Sequence, residues 1–312
     1  MFIRAASTIS HQPTFRNKGF SSKLLPLTPD TALIHPDYGM FIPPKDTRRL
    51  NDILKMAITC TSDCLLQAEI DQPDAIIVGT SMGCNEFTKT FLDKIHAANG
   101  GLIAPTAFML STHNTIAGQV SLFLGNQSYN ITHTHNNLSF EHALVDAMMA
   151  VEEGKQRVLV GAADEMGNEL YDMHERLQNN QLLATSGASL FILSDEGSSV
   201  AIHLIDVDCY SQLENLEATI NDFLKRNKLT LEEVNRVLFS ASRSATAETL
   251  SRIFQTEKIV DYQVFSGAYY VNSAFAMHLA VDLLEMESKP GEKVLICNNL
   301  IPNNLGLILL SR

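Results

Sequence analysis

The sequence predicts a layered α/β protein built from two pseudo-equivalent halves. Short apolar strands, such as AIIVG at 75–79 and RVLVGAA at 157–163, alternate with stretches whose apolar residues recur at helical spacing. The order β-α-β-α-β-α-β-β occurs twice, and the two halves end alike, on VLVGAAD and ASLFIL and then on VLICNNL and GLILL. We therefore expect mixed, mostly parallel sheets covered by helices, with one half at 1–196 and the other at 197–312.

Each element follows from a local pattern of apolar residues and stop signals. The first half is expected to contain a strand in FIRAA at the edge of a sheet, a helix over 47–70, the strand 75–79, a helix over 85–98 stopped by Gly100–Gly101, the strand 128–132, a helix over 138–153, and strands at 157–163 and 188–193. The second half is expected to contain a strand at 200–206, a helix with an apolar stripe from Leu213 to Leu224, a Thr-Leu-Glu-Glu capping box at 230–233, a strand at 237–240, a helix over 246–254, a short strand near Ile259, a long apolar helix over 267–286, and strands at 293–297 and 305–310.

Length and charge exclude several classes of function. The 312 residues carry 23 Lys+Arg against 35 Asp+Glu, a net charge of −12, which argues against a nucleic-acid or anionic-membrane surface. No apolar run is long enough to span a membrane, and the first ten residues lack the core of a signal peptide. The five Cys form no paired C-x-x-C motifs, so we expect reduced thiols in a cytoplasmic protein without a cofactor.

The sequence Gly-Thr-Ser-Met-Gly at 79–83 is a G-x-S-x-G motif between a buried strand and a helix. Read as a nucleophile elbow, it would present Ser81, and the chemistry would need a His in a late loop. The last His, His278, lies instead within a long apolar helix, which favours a simple glycine turn. Cys84 begins the next helix, where a thiol can have a lowered pKa. Ser81 and Cys84 are thus the only plausibly placed nucleophiles for an acyltransferase or thioester hydrolase.

Two further groups are weaker candidates. The histidines His113, His133, His135 and His142 have no carboxylate or thiolate at ligand spacing, so we expect no metal site. Asn137 lies at the start of the helix 138–153, where a nucleophile would gain from the helix dipole. Because an amide cannot attack an acyl group, we expect Asn137 to cap the helix.

The stretch PTAFMLSTHN at 105–114, followed by AGQVS at 117–121 and YNIT at 129–132, resembles the run that precedes the nucleophile in β-ketoacyl synthases of the thiolase superfamily. The likeness continues to GKQRVLVGAADE at 154–165 and includes VGTSMG at 78–83 and TSGASLFIL at 185–193. The resemblance implies a thiolase-like, layered α-β-α-β-α fold in which the half at 1–196 carries the nucleophile position and 197–312 is its counterpart.

The departures from that family concern every catalytic group. Asn137 stands where the family has its acyl-accepting Cys. The first catalytic His would fall at Ala241 or Ser242, the second at Ala268, and the assisting Lys at Gln263. Loss of the nucleophile together with its proton donors removes the whole catalytic set.

This pattern is similar to that of the chain length factors, ketosynthase-like subunits that lack the Cys and pair with an active ketosynthase in a heterodimer. The resemblance implies a role in fatty-acid, polyketide or aryl-polyene-type biosynthesis, with acyl carrier protein reaching the complex through the partner. It also implies that a channel and interface are formed by Phe108, Met109, Asn114, Gln119, Val120, Tyr129, Asn130, Ile131, Thr132 and His142.

Three hypotheses follow from the sequence. The chain is a non-catalytic subunit that shapes a partner's acyl channel, or a divergent acyltransferase or hydrolase that uses Ser81 or Cys84, or a homodimeric acyl-binding relic without a partner. The first predicts exposed apolar residues around 105–132 and no covalent acylation of this chain.

Overall fold

The computed structural model describes residues 1–166, 183–197, 201–241, 244–286 and 289–312. The described strands are β1 (Phe2–Ile9), β2 (Ala75–Gly79), β3 (Tyr129–His133), β4 (Val158–Asp164), β5 (Gly187–Ser194), β6 (Ile202–Tyr210), β7 (Arg236–Ala241), β8 (Ile259–Asp261), β9 (Lys293–Asn299) and β10 (Leu305–Ser311). The described α-helices are α1 (Pro44–Thr47), α2 (Asp52–Ala68), α3 (Asn85–Ala98), α4 (Pro105–Leu110), α5 (Thr115–Leu124), α6 (Ser139–Glu152), α7 (Leu216–Arg226), α8 (Ser244–Ile253), α9 (Gln263–Ser266) and α10 (Ser273–Met286).

The described strands form one sheet in the order β3-β2-β4-β5-β1-β6-β10-β9-β7-β8. Numbered within each half of the chain, the first five strands lie in the order 3-2-4-5-1, and the last five, read from the opposite end, lie in the same order. The pairings repeat as well: β2 is parallel to β3 and β4, β7 is parallel to β8 and β9, and the remaining neighbours are antiparallel. The predicted layered α/β architecture with two pseudo-equivalent halves is confirmed. The expectation of mostly parallel sheets is wrong, because five of the nine neighbouring pairs of described strands are antiparallel and all ten strands join in one sheet.

The two halves of the sheet meet through a short pairing between β1 and β6. Only Phe2 with His203 and Ile3 with Ile202 are paired there. The prediction of an edge strand for FIRAA is therefore wrong, because β1 lies between β5 and β6. The division at 196/197 stays a prediction, because residues 198–200 lie outside the described residues.

Three apolar cores separate the layers. Helices α6 and α10 share the central core with the inner faces of strands from both halves. Helices α2 and α5 cover the outer face of the first half, and α7 and α8 cover the outer face of the second. In β2, Ile77 faces the central core while Ile76 and Val78 face the outer one, so a strand covered on both sides is apolar throughout.

Several helix ends differ from the sequence-based expectation for local reasons. Helix α2 begins later than expected, at Asp52, because the Asn51 side chain accepts a hydrogen bond from the Leu54 N–H and caps it. Helix α10 begins at Ser273, because the backbone at Gly267 has a φ of +70° and the next residue pairs with Ala184 in an isolated bridge. The capping box expected at 230–233 is present, on a 3₁₀ turn rather than an α-helix.

None of the helices in the described parts of the chain is long and apolar enough to cross a membrane. All five cysteines are free thiols, and four of them are buried.

Candidate functional site

The junction between β3 and α6 positions Asn137. After β3 the backbone passes through a positive φ of +51° at Asn136 and a 3₁₀ turn before α6 begins. The Ser139 hydroxyl organises this turn, because it accepts from the His135 N–H (2.8 Å) and donates to the Asn136 carbonyl (2.7 Å). Asn137 is wholly buried, and its side chain makes no capping bond. The prediction that Asn137 caps the helix is therefore wrong.

The Asn137 side chain is instead held by the loop that follows β9. Its Nδ2 donates to Asn298 Oδ1 (3.4 Å), and its Oδ1 accepts from Asn304 Nδ2 (3.0 Å). Asn298 Nδ2 also donates to the Asn137 backbone carbonyl (2.7 Å). Asn299 fixes the loop in place, because it accepts from the Thr246 hydroxyl (2.6 Å) and donates to the Asn304 carbonyl (2.7 Å). The donor and the acceptor of the Asn137 amide are thus both used within the protein.

Glu141, one helical turn after Asn137, is the ionisable group of this site. It is wholly buried, its Oε1 accepts from Asn298 Nδ2 (2.8 Å), and its Oε2 has no hydrogen-bond partner among the described residues. Burial raises the pKa of Glu141 to about 7, although the hydrogen bond from Asn298 lowers it. A Cβ on Gly306 would lie 2.7 Å from Glu141 Oε1, so β10 can pass this carboxyl only because position 306 is glycine.

The network extends to Ser240 and Tyr262, which are close in sequence to positions that the resemblance predicts for the family's first His and its Lys. Ser240 Oγ donates to Asn298 Oδ1 (3.4 Å) and accepts from the Tyr262 hydroxyl (2.8 Å). Gln263 is buried, and its Nε2 has no partner among the described residues. The Ala268 N–H donates to the Leu183 carbonyl (2.7 Å), and the Ala268 carbonyl accepts from the Thr185 N–H (3.3 Å). Ala241 ends β7, and Ser242 lies outside the described residues.

Apart from Glu141, the side chains described at this site are therefore neutral amides, hydroxyls and methyl groups. Such a set can donate and accept hydrogen bonds, but it contains no nucleophile paired with an imidazole base. Neither the asparagines at 298–304 nor Glu141 was assigned a role from the sequence. The helical spacing of 137 and 141 was the available signal, because residues four apart lie on one face of a helix.

The G-x-S-x-G turn is held by Asp164 at the end of β4. The Asp164 carboxylate accepts from the Thr80 hydroxyl (2.7 Å) and from the N–H groups of Ser81 and Met82 (2.9 Å each). Burial raises the pKa of Asp164 to about 6, against the lowering effect of these bonds. A Cβ on Gly79 would lie 2.5 Å from the Ser139 carbonyl oxygen, so this glycine permits the close approach of α6. No hydrogen bond joins Ser81 to a histidine in the described parts of the chain.

Cys84 is wholly buried at the start of α3. Burial, and after it the Glu165 carboxyl, raises the pKa of the Cys84 thiol far above its ordinary value. Burial likewise raises the pKa of Glu165 to about 7, and this carboxyl accepts from the Glu86 N–H (3.0 Å) and from Asn51 Nδ2 (3.0 Å). Desolvation therefore outweighs the effect of the helix N-terminus, and Cys84 is a buried small residue rather than an activated thiol. The acidic pair at 164–165, at the end of a buried strand, was the sequence signal that could have indicated carboxylates beside the G-x-S-x-G turn and Cys84.

Strand β3 lies at one end of the sheet, so one of its backbone edges is unpaired in the described structure. Asn130 Nδ2 donates to the Ala117 carbonyl (3.0 Å), and Phe91 and Phe108 pack with ring centroids 5.6 Å apart, which joins β3 to α5 and α3 to α4. We call α3, α4, α5 and β3, together with the loop between α3 and α4, the β3 surface. It bears seven of the fourteen large apolar side chains exposed in the described residues: Leu92, Ile95, Leu102, Phe108, Met109, Leu122 and Tyr129.

The remaining residues predicted for a channel or interface lie on or beside this surface, with one exception. Asn114 and Asn130 are exposed, and Gln119, Ile131, Thr132 and His142 are partly buried. Val120 is buried in the outer core, so it contributes nothing to the exposed surface. The sequence analysis missed Leu92, Ile95 and Leu102, although the apolar positions of α3 recur at helical spacing.

The histidines divide between two places. His113 packs against the turn at Gly83. His133 Nε2 lies 2.8 Å from Asp146 Oδ2, and the rings of His135 and His142 have centroids 4.0 Å apart. Burial, followed by His135 and His133, lowers the pKa of His142. Within the described residues, no three His, Cys, Asp or Glu side chains are grouped so that they could hold a metal ion.

Comparison with solved structures gives the fold. The ishigamide ketosynthase/chain length factor aligns with a TM-score of 0.82 at 16% identity, over 99% of this chain and 98% of that one. The Xenorhabdus doucetiae ketosynthase ApeO in complex with its chain length factor ApeC aligns at 0.76 and 12% identity, over 99% and 97%. AntDE:AntF, a type II PKS acyl-carrier protein in complex with its ketosynthase, aligns at 0.75 and 15% identity, over 99% and 98%. The predicted thiolase-like fold is confirmed.

Comparison with sequences gives the family. Curated protein sequences gave no match. The family model of the β-ketoacyl synthase N-terminal domain matches residues 30–252, which is well over half of the chain. This chain therefore belongs to the β-ketoacyl synthase family.

Proposed function

We propose that this chain is a non-catalytic subunit of the chain-length-factor type, which pairs with an active β-ketoacyl synthase and shapes its acyl channel. The complex would act in fatty-acid, polyketide or aryl-polyene-type biosynthesis on chains carried by acyl carrier protein. One observation carries the proposal. Asn137, which the resemblance puts at the position of the family's nucleophile, is wholly buried, and its side-chain amide is hydrogen-bonded to Asn298 and Asn304.

The chemistry of condensation argues against turnover at this site. Acyl transfer needs a nucleophile, and decarboxylation needs donors that stabilise the developing negative charge. An amide cannot supply the first, and Ala268 and Gln263 stand where the family has a His and its Lys. Two side chains of the segment 298–304, those of Asn298 and Asn304, bond to the Asn137 amide, so an incoming acyl group would have to break these bonds.

The β3 surface supports pairing with a second protein. An unpaired edge strand is a ready template for another strand, and exposed apolar groups commonly mark protein interfaces. The ishigamide and ApeO–ApeC structures are ketosynthase and chain length factor pairs, and AntDE:AntF holds an acyl-carrier protein. By analogy, we assign the interface to β3 and the channel wall to α4 and α5, with Phe108 and Met109 as its bulkiest exposed residues.

Native mass spectrometry of the tagged protein, purified from its own host, tests the pairing. The expected species is a one-to-one complex with a ketosynthase that retains its Cys. Phe108→Glu should abolish that complex, because it places a charge among apolar groups at an interface. Leu25→Glu is the matched control, since Leu25 is 71% exposed and lies away from the β3 surface. A stable homodimer with no ketosynthase bound would contradict the proposal.

Activity of the purified complex tests the absence of catalysis here. Asn137→Ala should leave the acylation of the partner's Cys unchanged within about twofold, because Asn137 is not expected to contact the reacting atoms. Covalent labelling should be confined to the partner. Labelling of Ser81 or Cys84 by an acyl-mimicking electrophile would instead support the alternative, a divergent acyltransferase or thioester hydrolase. The protonated Cys84 thiol argues against that outcome.

A further inference from the structure

A second candidate site lies where the two halves of the sheet separate. Strand β1 pairs with β6 only through Phe2 and Ile3, and its register against β5 shifts between Ile3 and Ala5, around Arg4. Beyond this point the edge of β1 opens into a cleft of about 550 Å³ between α2, α10 and the loop 14–18. That volume is within the range of small-molecule sites. The cleft shares no lining residue with the Asn137 network.

The carboxylates of the cleft are already satisfied. Asp63 accepts from Arg16 Nε (2.6 Å), from the Ser7 hydroxyl (2.7 Å) and from Gln67 Nε2 (2.8 Å). Asp282 accepts from the backbone N–H groups of Gly19 (2.6 Å) and Ser21 (2.8 Å). Glu285 pairs with Lys18 at 3.1 Å. None of these acids therefore needs a further cation.

The guanidinium groups keep free donors. Arg4 makes a single hydrogen bond, from Nη2 to the Ala68 carbonyl (3.3 Å), and it pairs with no carboxylate in the described structure. Arg16 uses only Nε for its bond to Asp63, while its guanidinium lies 4.8 Å from the centroid of the Phe41 ring. Because a guanidinium has five N–H donors, both side chains can accommodate a carboxylate or phosphate. Arg4 leaves one positive charge in the cleft without an ion-pair partner.

The lining also includes apolar side chains and one imidazole. Ile3 and Val281 line the cleft, together with His278 of α10. His278 Nδ1 is buried and has no hydrogen-bond partner among the described residues, which is unusual for a buried polar atom. The ring packs against Phe20 at a centroid distance of 4.9 Å, and burial lowers the pKa of His278 to about 4, so the imidazole is neutral near pH 7.

We propose that this cleft binds a small amphiphilic anion, with one carboxylate or phosphate group at Arg4 and Arg16 and an apolar part against Ile3 and Val281 that reaches His278. The lining carries three basic and three acidic side chains, of which Arg4 and Asp282 have no ion-pair partner in the described structure, so Arg4 orients one anionic group without a net positive charge in the cleft. A polyanion is disfavoured, because the three carboxylates of the cleft and the net charge of −12 would repel it.

Thermal shift and titration calorimetry with two probes, sodium octanoate and inorganic phosphate, test the proposal on the full chain. At least one probe should raise the melting temperature at concentrations up to about 10 mM, because a ligand that binds only the folded state stabilises it. A shift with octanoate identifies a carboxylate ligand, and a shift with phosphate alone identifies a phosphate ligand. The absence of a shift with both probes would overturn the proposal.

Two variants separate binding in the cleft from binding elsewhere. Arg4→Gln should weaken the dissociation constant of the active probe about tenfold, which is typical for loss of one charge-assisted contact. Arg48→Gln is the matched control, an exposed arginine that does not line the cleft, and it should bind as the wild type does. Affinity retained in Arg4→Gln, or lost equally in both variants, would refute the assignment.

Discussion

Replacing Glu141 by Gln tests whether the carboxyl at the centre of the site stays protonated, and therefore neutral, up to an unusually high pH. Glu141 is wholly buried, with one oxygen bonded to Asn298 and the other without a partner. The glutamine is nearly isosteric, keeps the acceptor for Asn298 and carries no charge. The variant therefore removes ionisation while leaving the packing of α6 in place.

The sign and size of the effect follow from proton linkage. Burial raises the pKa of Glu141 from its ordinary 4.5 to about 7, so the folded state binds the proton more tightly than the unfolded state within that window. The free energy of unfolding of the wild type therefore falls as the pH rises through the window, and the loss is complete above it. Between about pH 5 and pH 8 the wild type loses roughly 2–3 kcal/mol of stability in this way, and Glu141→Gln does not.

Equilibrium urea unfolding, followed by far-UV circular dichroism, measures this difference directly. The stability of Glu141→Gln relative to the wild type should increase by roughly 2–3 kcal/mol from pH 5 to pH 8. Any constant cost of fitting the amide cancels in that comparison. Glu152→Gln, at the exposed end of the same helix, is the control and should show no such change. A difference that is the same at both pH values would refute the reasoning.

Two further predictions concern close packing and the G-x-S-x-G turn. Gly306→Ala should lower the free energy of unfolding by about 1–3 kcal/mol, because its Cβ would lie 2.7 Å from Glu141 Oε1. Gly118→Ala, where nothing lies within 4 Å of the new Cβ, should instead be neutral or stabilising by about 0.5–1 kcal/mol in the same urea experiment. Asp164→Ala should lower the free energy of unfolding by roughly 3 kcal/mol, because it leaves the Thr80 hydroxyl and two backbone N–H groups without their acceptor. A melting temperature equal to that of the wild type would contradict the role of this carboxyl.

The sequence by itself determined the elements and their duplicated order. Helix α3 was predicted at its observed bounds, and most strands lie within two residues of the expected positions. These features are local, because a period of two or of 3.6 and a glycine stop can be read without knowing what packs against the segment. The family resemblance likewise rests on short contiguous motifs, and its assignment of Asn137, Gln263 and Ala268 to the family's catalytic positions stays a prediction.

Only the tertiary structure decided what those positions do. Asn137 and Asn298 are 161 residues apart in sequence, and nothing in either local pattern indicates that they bond. The burial of Cys84, which raises the pKa of its thiol, depends on helices and strands from across the first half. The position of β1 between β5 and β6 was not predicted either, because both neighbours are distant in sequence. Burial and pairing across large sequence separations depend on packing of the whole chain, which short-range periodicity does not encode.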